Sequence, residues 1–283
     1  MKLKHYGVVL IPACVATFVF RLVEVVLAVD PQTGYYRSGA ILPMIFNLFM
    51  AALVIFFATM LFVTKKESHS AVIRLYKPSV FDNVVGIAAS VALFAASLFE
   101  LLENTVGYAL SLSDLLSLWS LWQTLCALLA AVFVIFFVTY PRKTAKKPGW
   151  QIFSLGLMLY YLVLLLKSFA TPDVVFSQAF GIYDVAFYGL TAAAALNLSK
   201  VLTGIHCRRM YTFFTFASAL ACALRLANAV LRVLPGDPYG IPMDLFPFVG
   251  DLLVTIFLIS LAKKLIVRRK RSAGDLPEYP GQM

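Results

Sequence analysis

Eight runs of about 20 or more mostly apolar residues follow one another along this chain, each long enough to cross a hydrocarbon layer about 30 Å thick. Their approximate limits are 6–29, 40–63, 84–103, 114–139, 150–169, 180–202, 212–234 and 244–266. A segment that crosses lipid must satisfy its own backbone N–H and C=O groups, so each run is expected to be a helix. The fold class that follows is all-α: a polytopic integral membrane helix bundle of eight transmembrane helices arranged as four hairpins. Nothing between the runs is long enough to bury a second core. One transmembrane domain is therefore expected over 1–271, followed by a disordered tail at 272–283.

The net charge of +10 would suit a nucleic-acid partner, but the basic residues are sorted by side rather than gathered into a binding face. Nineteen of the 24 Lys and Arg fall at the ends and loops that alternate with the N-terminus, against only Arg37 on the other side. That bias orients a chain with both termini in the cytoplasm. A location in the cell membrane and no nucleic-acid partner are expected. The basic cluster from Lys263 to Arg271 suits contact with anionic lipid, about 1 kcal/mol for each charge near the surface, as well as orientation. The opening Met1-Lys2-Leu3-Lys4-His5 resembles the charged start of a signal peptide. Arg21 and Glu24 interrupt its apolar run, however, and the stretch to Val29 is long enough to span, so it is read as a retained helix.

Four cysteines without a CxxC and three widely separated histidines suggest neither disulfide nor metal chemistry, so no cofactor is expected. Nothing matches G-x-S-x-G or H-E-x-x-H, and no catalytic residue is assigned.

The informative polar residues lie inside the spans, and they gather in the outer half of every hairpin. They are Arg21 and Glu24 with Asn47, Glu100 and Glu103 with Gln123, Lys167 with Asp184, and Arg225 and Arg232 with Asp251 and Asp244. The inner halves, such as VIFFATMLFV, are nearly all apolar. A charge at the bilayer centre costs about 2.5–3.5 kcal/mol on insertion scales, so these side chains should face inward and find partners. The last hairpin predicts them by depth. Arg225 with Asp251, and Arg232 with Asp244, are each centred on residue 238, in a turn rich in Pro and Gly. Two antiparallel helices leaving that turn put each arginine level with an aspartate. Lys167 and Asp184 are centred in the same way on their own loop. Glu100 and Glu103 have no cation in their hairpin, which leaves them to a cation from another hairpin, to a ligand cation, or to protonation.

Two uses fit such a constellation. One is inter-helix ion pairing that only orients the bundle. The other is an outward-facing pocket for a small polar or zwitterionic ligand, formed by Arg21, Glu24, Glu100, Glu103, Tyr160, Lys167, Asp184, Arg225, Asn228 and Asp251. The second use implies a carrier, receptor or accessory subunit. An intramembrane enzyme working on lipid, with Glu100 or Asp251 activating water, is the alternative with least equipment. Binding is the expected function.

Overall fold

A computed structural model describes residues 3–33, 35–63, 79–105, 119–139, 155–170, 181–202, 207–233 and 245–266. They form eight helices: α1 (Leu3–Ala28), α2 (Leu42–Val63), α3 (Val80–Thr105), α4 (Trp119–Thr139), α5 (Leu155–Ala170), α6 (Gly181–Leu202), α7 (Arg208–Arg232) and α8 (Leu245–Ile266). Among the described residues there is no strand, only one isolated bridge between Val29 and Tyr36 in the first turn. Six of the helices, α1 to α4 with α6 and α7, are long and apolar enough to cross a membrane. The described part of α5 is shorter, and α8 carries Asp251, Lys263 and Lys264. The molecule is thus a multi-pass membrane helix bundle.

Its surface agrees. Val8, Ile11, Val15, Val19 and Val26 are exposed along one side of α1, as are Met44, Ile45, Leu48, Ile55 and Phe62 on α2. Such continuous apolar faces suit lipid and would be an aggregation hazard in water.

Helices α3, α4, α5, α6, α7 and α8 contact one another in that order, and α8 closes the ring on α3. α1 packs on α7, and α2 lies against both. α7 is therefore the central helix, touched by α1, α2, α6 and α8. Its composition permits this, because Ala217, Ser218, Ala219, Ala221, Cys222 and Ala223 are all buried and let neighbouring backbones approach. Elsewhere glycine does the same. A Cβ on Gly156 of α5 would lie 2.8 Å from the backbone nitrogen of Ala130 on α4.

The helix limits differ from the apolar runs in instructive places. α3 begins at Val80 rather than near residue 84, because Ser79 and Asp82 cap its first turn: the Asp82 carboxylate accepts from the Ser79 backbone N–H at 2.7 Å, and the Asp82 N–H donates to Ser79 Oγ at 3.3 Å. α7 begins four residues before its apolar run, at Arg208, and Arg209 donates to the Leu61 carbonyl at the end of α2 at 3.2 Å. Hydropathy marks where lipid starts, whereas a helix continues for as long as its backbone finds partners. The loop 64–78, residue Asp244, and the basic tail beyond 266 lie outside the described residues.

Candidate functional site

At the upper end of the bundle α1, α3, α5 and α7 finish and α2, α4, α6 and α8 begin. Seven of the eight helices bring polar side chains there, in three linked groups.

The first is built on Arg225, two turns below the end of α7 and only 4% exposed. Its Nη1 donates to Asp251 Oδ2 of α8 at 2.6 Å, its Nε to Asp184 Oδ1 of α6 at 2.5 Å, and its Nη2 to the Tyr188 hydroxyl at 3.3 Å. The guanidinium carbon also lies 4.6 Å from the centroid of the Phe187 ring, 5.1 Å from that of Tyr188 and 5.6 Å from that of Phe248. Aromatic faces attract a cation most strongly when it is desolvated, as here. Asp251 accepts a further bond from the Tyr161 hydroxyl of α5 at 2.9 Å. Both donors to Asp251 are buried, so its charge is held by hydrogen bonds rather than by water.

The second group lies around Glu100 of α3. One carboxylate oxygen pairs with Lys167 Nζ of α5, and the other accepts from Gln123 Nε2 of α4 at 2.9 Å. Below it lies Tyr160, fully buried. This is the open part of the site: the side chains of Lys167, Glu100 and Asp184 are 32%, 24% and 31% exposed, while Asp251 is 2%.

The third group is closed. Arg21 Nη1 bonds Glu24 Oε2 at 2.7 Å, Arg21 Nε reaches Asn228 Oδ1 of α7 at 3.2 Å, and the guanidinium lies 4.5 Å from the centroid of the Tyr183 ring. From the first turn, the Tyr36 hydroxyl donates to Glu24 Oε1 at 2.7 Å and accepts from Arg21 Nη1 at 3.1 Å. Burial pushes the Tyr36 phenol above its ordinary range. Arg21 and Glu24 are wholly buried.

The structure thus brings Arg21, Glu24, Glu100, Tyr160, Lys167, Asp184, Arg225, Asn228 and Asp251 to one end. Glu103 is exposed one turn beyond Glu100, and Asn47 is exposed on α2. The expected Arg225–Asp251 pair is present. Lys167 and Asp184 share a depth as expected but look elsewhere for charge, Lys167 to Glu100 and Asp184 to Arg225. A cation from another hairpin is therefore what meets Glu100.

Sequence reasoning missed the aromatic and phenolic partners Tyr36, Tyr161, Tyr183, Tyr188, Phe187 and Phe248. Tyr188 lies one turn after Asp184 on α6, a spacing that could have suggested it. Also missed was an ion pair at the lower end, Asp82 of α3 with Lys264 of α8, where Asp82 is fully buried and also accepts from the hydroxyls of Ser79 and Ser260. The Ser-x-x-Asp pattern at 79–82 is its sequence signal. No group of His, Cys, Asp and Glu suited to a metal ion occurs among the described residues.

No family model, curated protein or solved structure matches the chain.

Proposed function

We propose that the protein is an eight-span cell-membrane protein, with both termini in the cytoplasm, that binds a small ammonium-bearing polar ligand, zwitterionic in the simplest case, in a recess at the upper end. The observation that carries this reading is the gradient of exposure: partly exposed Lys167, Glu100 and Asp184 stand over a floor of buried Arg225 and Asp251. The charge balance supports an ammonium group. Arg225 meets two carboxylates, leaving that group one negative charge in excess, and Glu103 adds another nearby on α3.

Arg225 already has two carboxylates and a phenol, so the ligand's anionic group falls to Lys167 and its ammonium to Asp184 and Glu100. The enzymatic alternative loses support from the same geometry, since Glu100 and Asp251 are each engaged by two donors and neither is poised to activate water. The Arg21–Glu24 group, sealed and satisfied, fits the orienting role.

A thermal-shift screen of the purified protein in detergent tests the reading, using amino acids, glycine betaine and phosphocholine as probes. A true ligand at a hundredfold its Kd stabilises by about 2.7 kcal/mol. Asp184→Asn and Lys167→Met should remove that shift while leaving the unliganded melting temperature within a few degrees. Stabilisation by none of the probes, or stabilisation insensitive to both substitutions, would contradict the proposal.

A further inference from the structure

Asp82 and Glu100 lie eighteen residues apart on α3. At about 3.6 residues per turn this is five full turns, so the two carboxylates share one face of the helix, about 27 Å apart along it. That separation nearly equals the thickness of a hydrocarbon core. Each carboxylate meets one partly exposed lysine of another helix, Glu100 with Lys167 of α5 and Asp82 with Lys264 of α8. Each also has one neutral donor from another helix, Gln123 of α4 or Ser260 of α8. One helix is thus tied at both membrane faces by the same device.

Between the ties, the same face of α3 carries Gly86, Ser90 and Ser97, all buried. Ser90 and Ser97 turn their hydroxyls back to the carbonyls of Gly86 and Leu93, at 2.8 and 2.9 Å, and the hydrogen bond to a neighbouring helix at these two residues is the one that the Ser97 carbonyl accepts from Thr124 of α4 at 2.8 Å. The contacts there are close. A Cβ on Gly86 would lie 2.8 Å from Val138 of α4 and 3.2 Å from Phe257 of α8, and one on Gly250 of α8 would lie 3.3 Å from Leu93.

From these observations we infer that α3 is the moving element of a carrier, with Glu100–Lys167 as its upper gate and Asp82–Lys264 as its lower gate. The solute is the ammonium-bearing ligand of the upper recess, and the inference rests on that reading. Parting the upper pair lets solute reach the Ser97 and Ser90 face from above; parting the lower pair releases it below. The lysine of each gate remains near water, so it can be solvated when its pair opens, whereas both pairs closed seal the path at both faces.

The test uses the full chain with Cys14, Cys126, Cys207 and Cys222 replaced by serine and a single reporter, Ser90→Cys, in vesicles. A membrane-impermeant trimethylammonium thiosulfonate is applied to one side at a time. Glu100→Gln should raise labelling from the upper side at least tenfold, and Asp82→Asn should raise it from the lower side to a similar extent. As a second measurement that does not depend on neutralising a charge, a disulfide formed by Glu100→Cys with Lys167→Cys should abolish upper-side labelling only, and one formed by Asp82→Cys with Lys264→Cys should abolish lower-side labelling only. Labelling from a single side in every variant, or from neither, overturns the carrier. If the probes still stabilise the protein in that case, binding stands and only gating fails. Two-sided labelling without any stabilising probe would leave the gates and remove the ligand reading.

Discussion

Arg225 is held by two carboxylates from two different helices, α6 and α8, and this changes what its removal should do. In a simple pair, deleting either member is equally harmful. Here Asp251→Leu leaves Arg225 with Asp184 and Tyr188, whereas Arg225→Leu leaves two carboxylates, one of them buried without a cation. A buried charge stranded in this way costs about 3–5 kcal/mol. Arg225→Leu should therefore be the most destabilising substitution of the group and Asp251→Leu milder. The double substitution should recover much of the loss, because the remaining Asp184 is partly exposed and can be hydrated. Melting curves in detergent would check that order. Equal losses from the two single changes would show that Asp184 does not share the guanidinium, and strictly additive effects in the double would show that Arg225 and Asp251 are not coupled. Depth counting from the turn was enough to find Arg225–Asp251, because two helices leaving one turn must remain level. It could not find Asp184, since depth says nothing about which hairpin stands alongside. Nor could it find Tyr161 or Phe187, whose side chains resemble ordinary apolar filling until a charge is placed beside them.

At the scale of the helices, close approach depends on small residues whose neighbours cannot yield. Gly156→Ala should destabilise by about 1–3 kcal/mol, because the added carbon would meet the backbone of α4 at 2.8 Å. Gly189→Ala in α6 is the control: its nearest neighbour would be 4.0 Å away, and replacing Gly by Ala in a helix is worth about 1 kcal/mol in the other direction. Thermal unfolding of both variants should move in opposite directions. The rough positions of the helices among the described residues were legible in the sequence, since each apolar run met a helix. The first turn of α3 was not, because its stability comes from Ser79 and Asp82, polar residues that a hydropathy window counts against a span. The same bias hid the Asp82–Lys264 pair, which sits beyond the apolar inner halves rather than within them.

For the molecule as a whole, the positive-inside bias and the polar upper end make linked predictions: the loop containing Lys146 should face the cytoplasm, and the recess should face outward. The ring order was beyond the sequence, because periodicity shows that a helix has an inward face without showing what it faces. Cysteine introduced at Lys146 should react with an impermeant maleimide only in inverted vesicles. Reaction there from outside intact cells would reverse the orientation. The most direct measurement of the central claim, an outward recess above a sealed floor, compares Asp184→Cys with Asp251→Cys in the cysteine-free chain. With the maleimide applied to intact cells, position 184 should be labelled at least tenfold faster than position 251. Labelling of position 184 from inverted vesicles alone would contradict the orientation, and labelling of neither position from either side would show that the upper end is packed shut and holds no site.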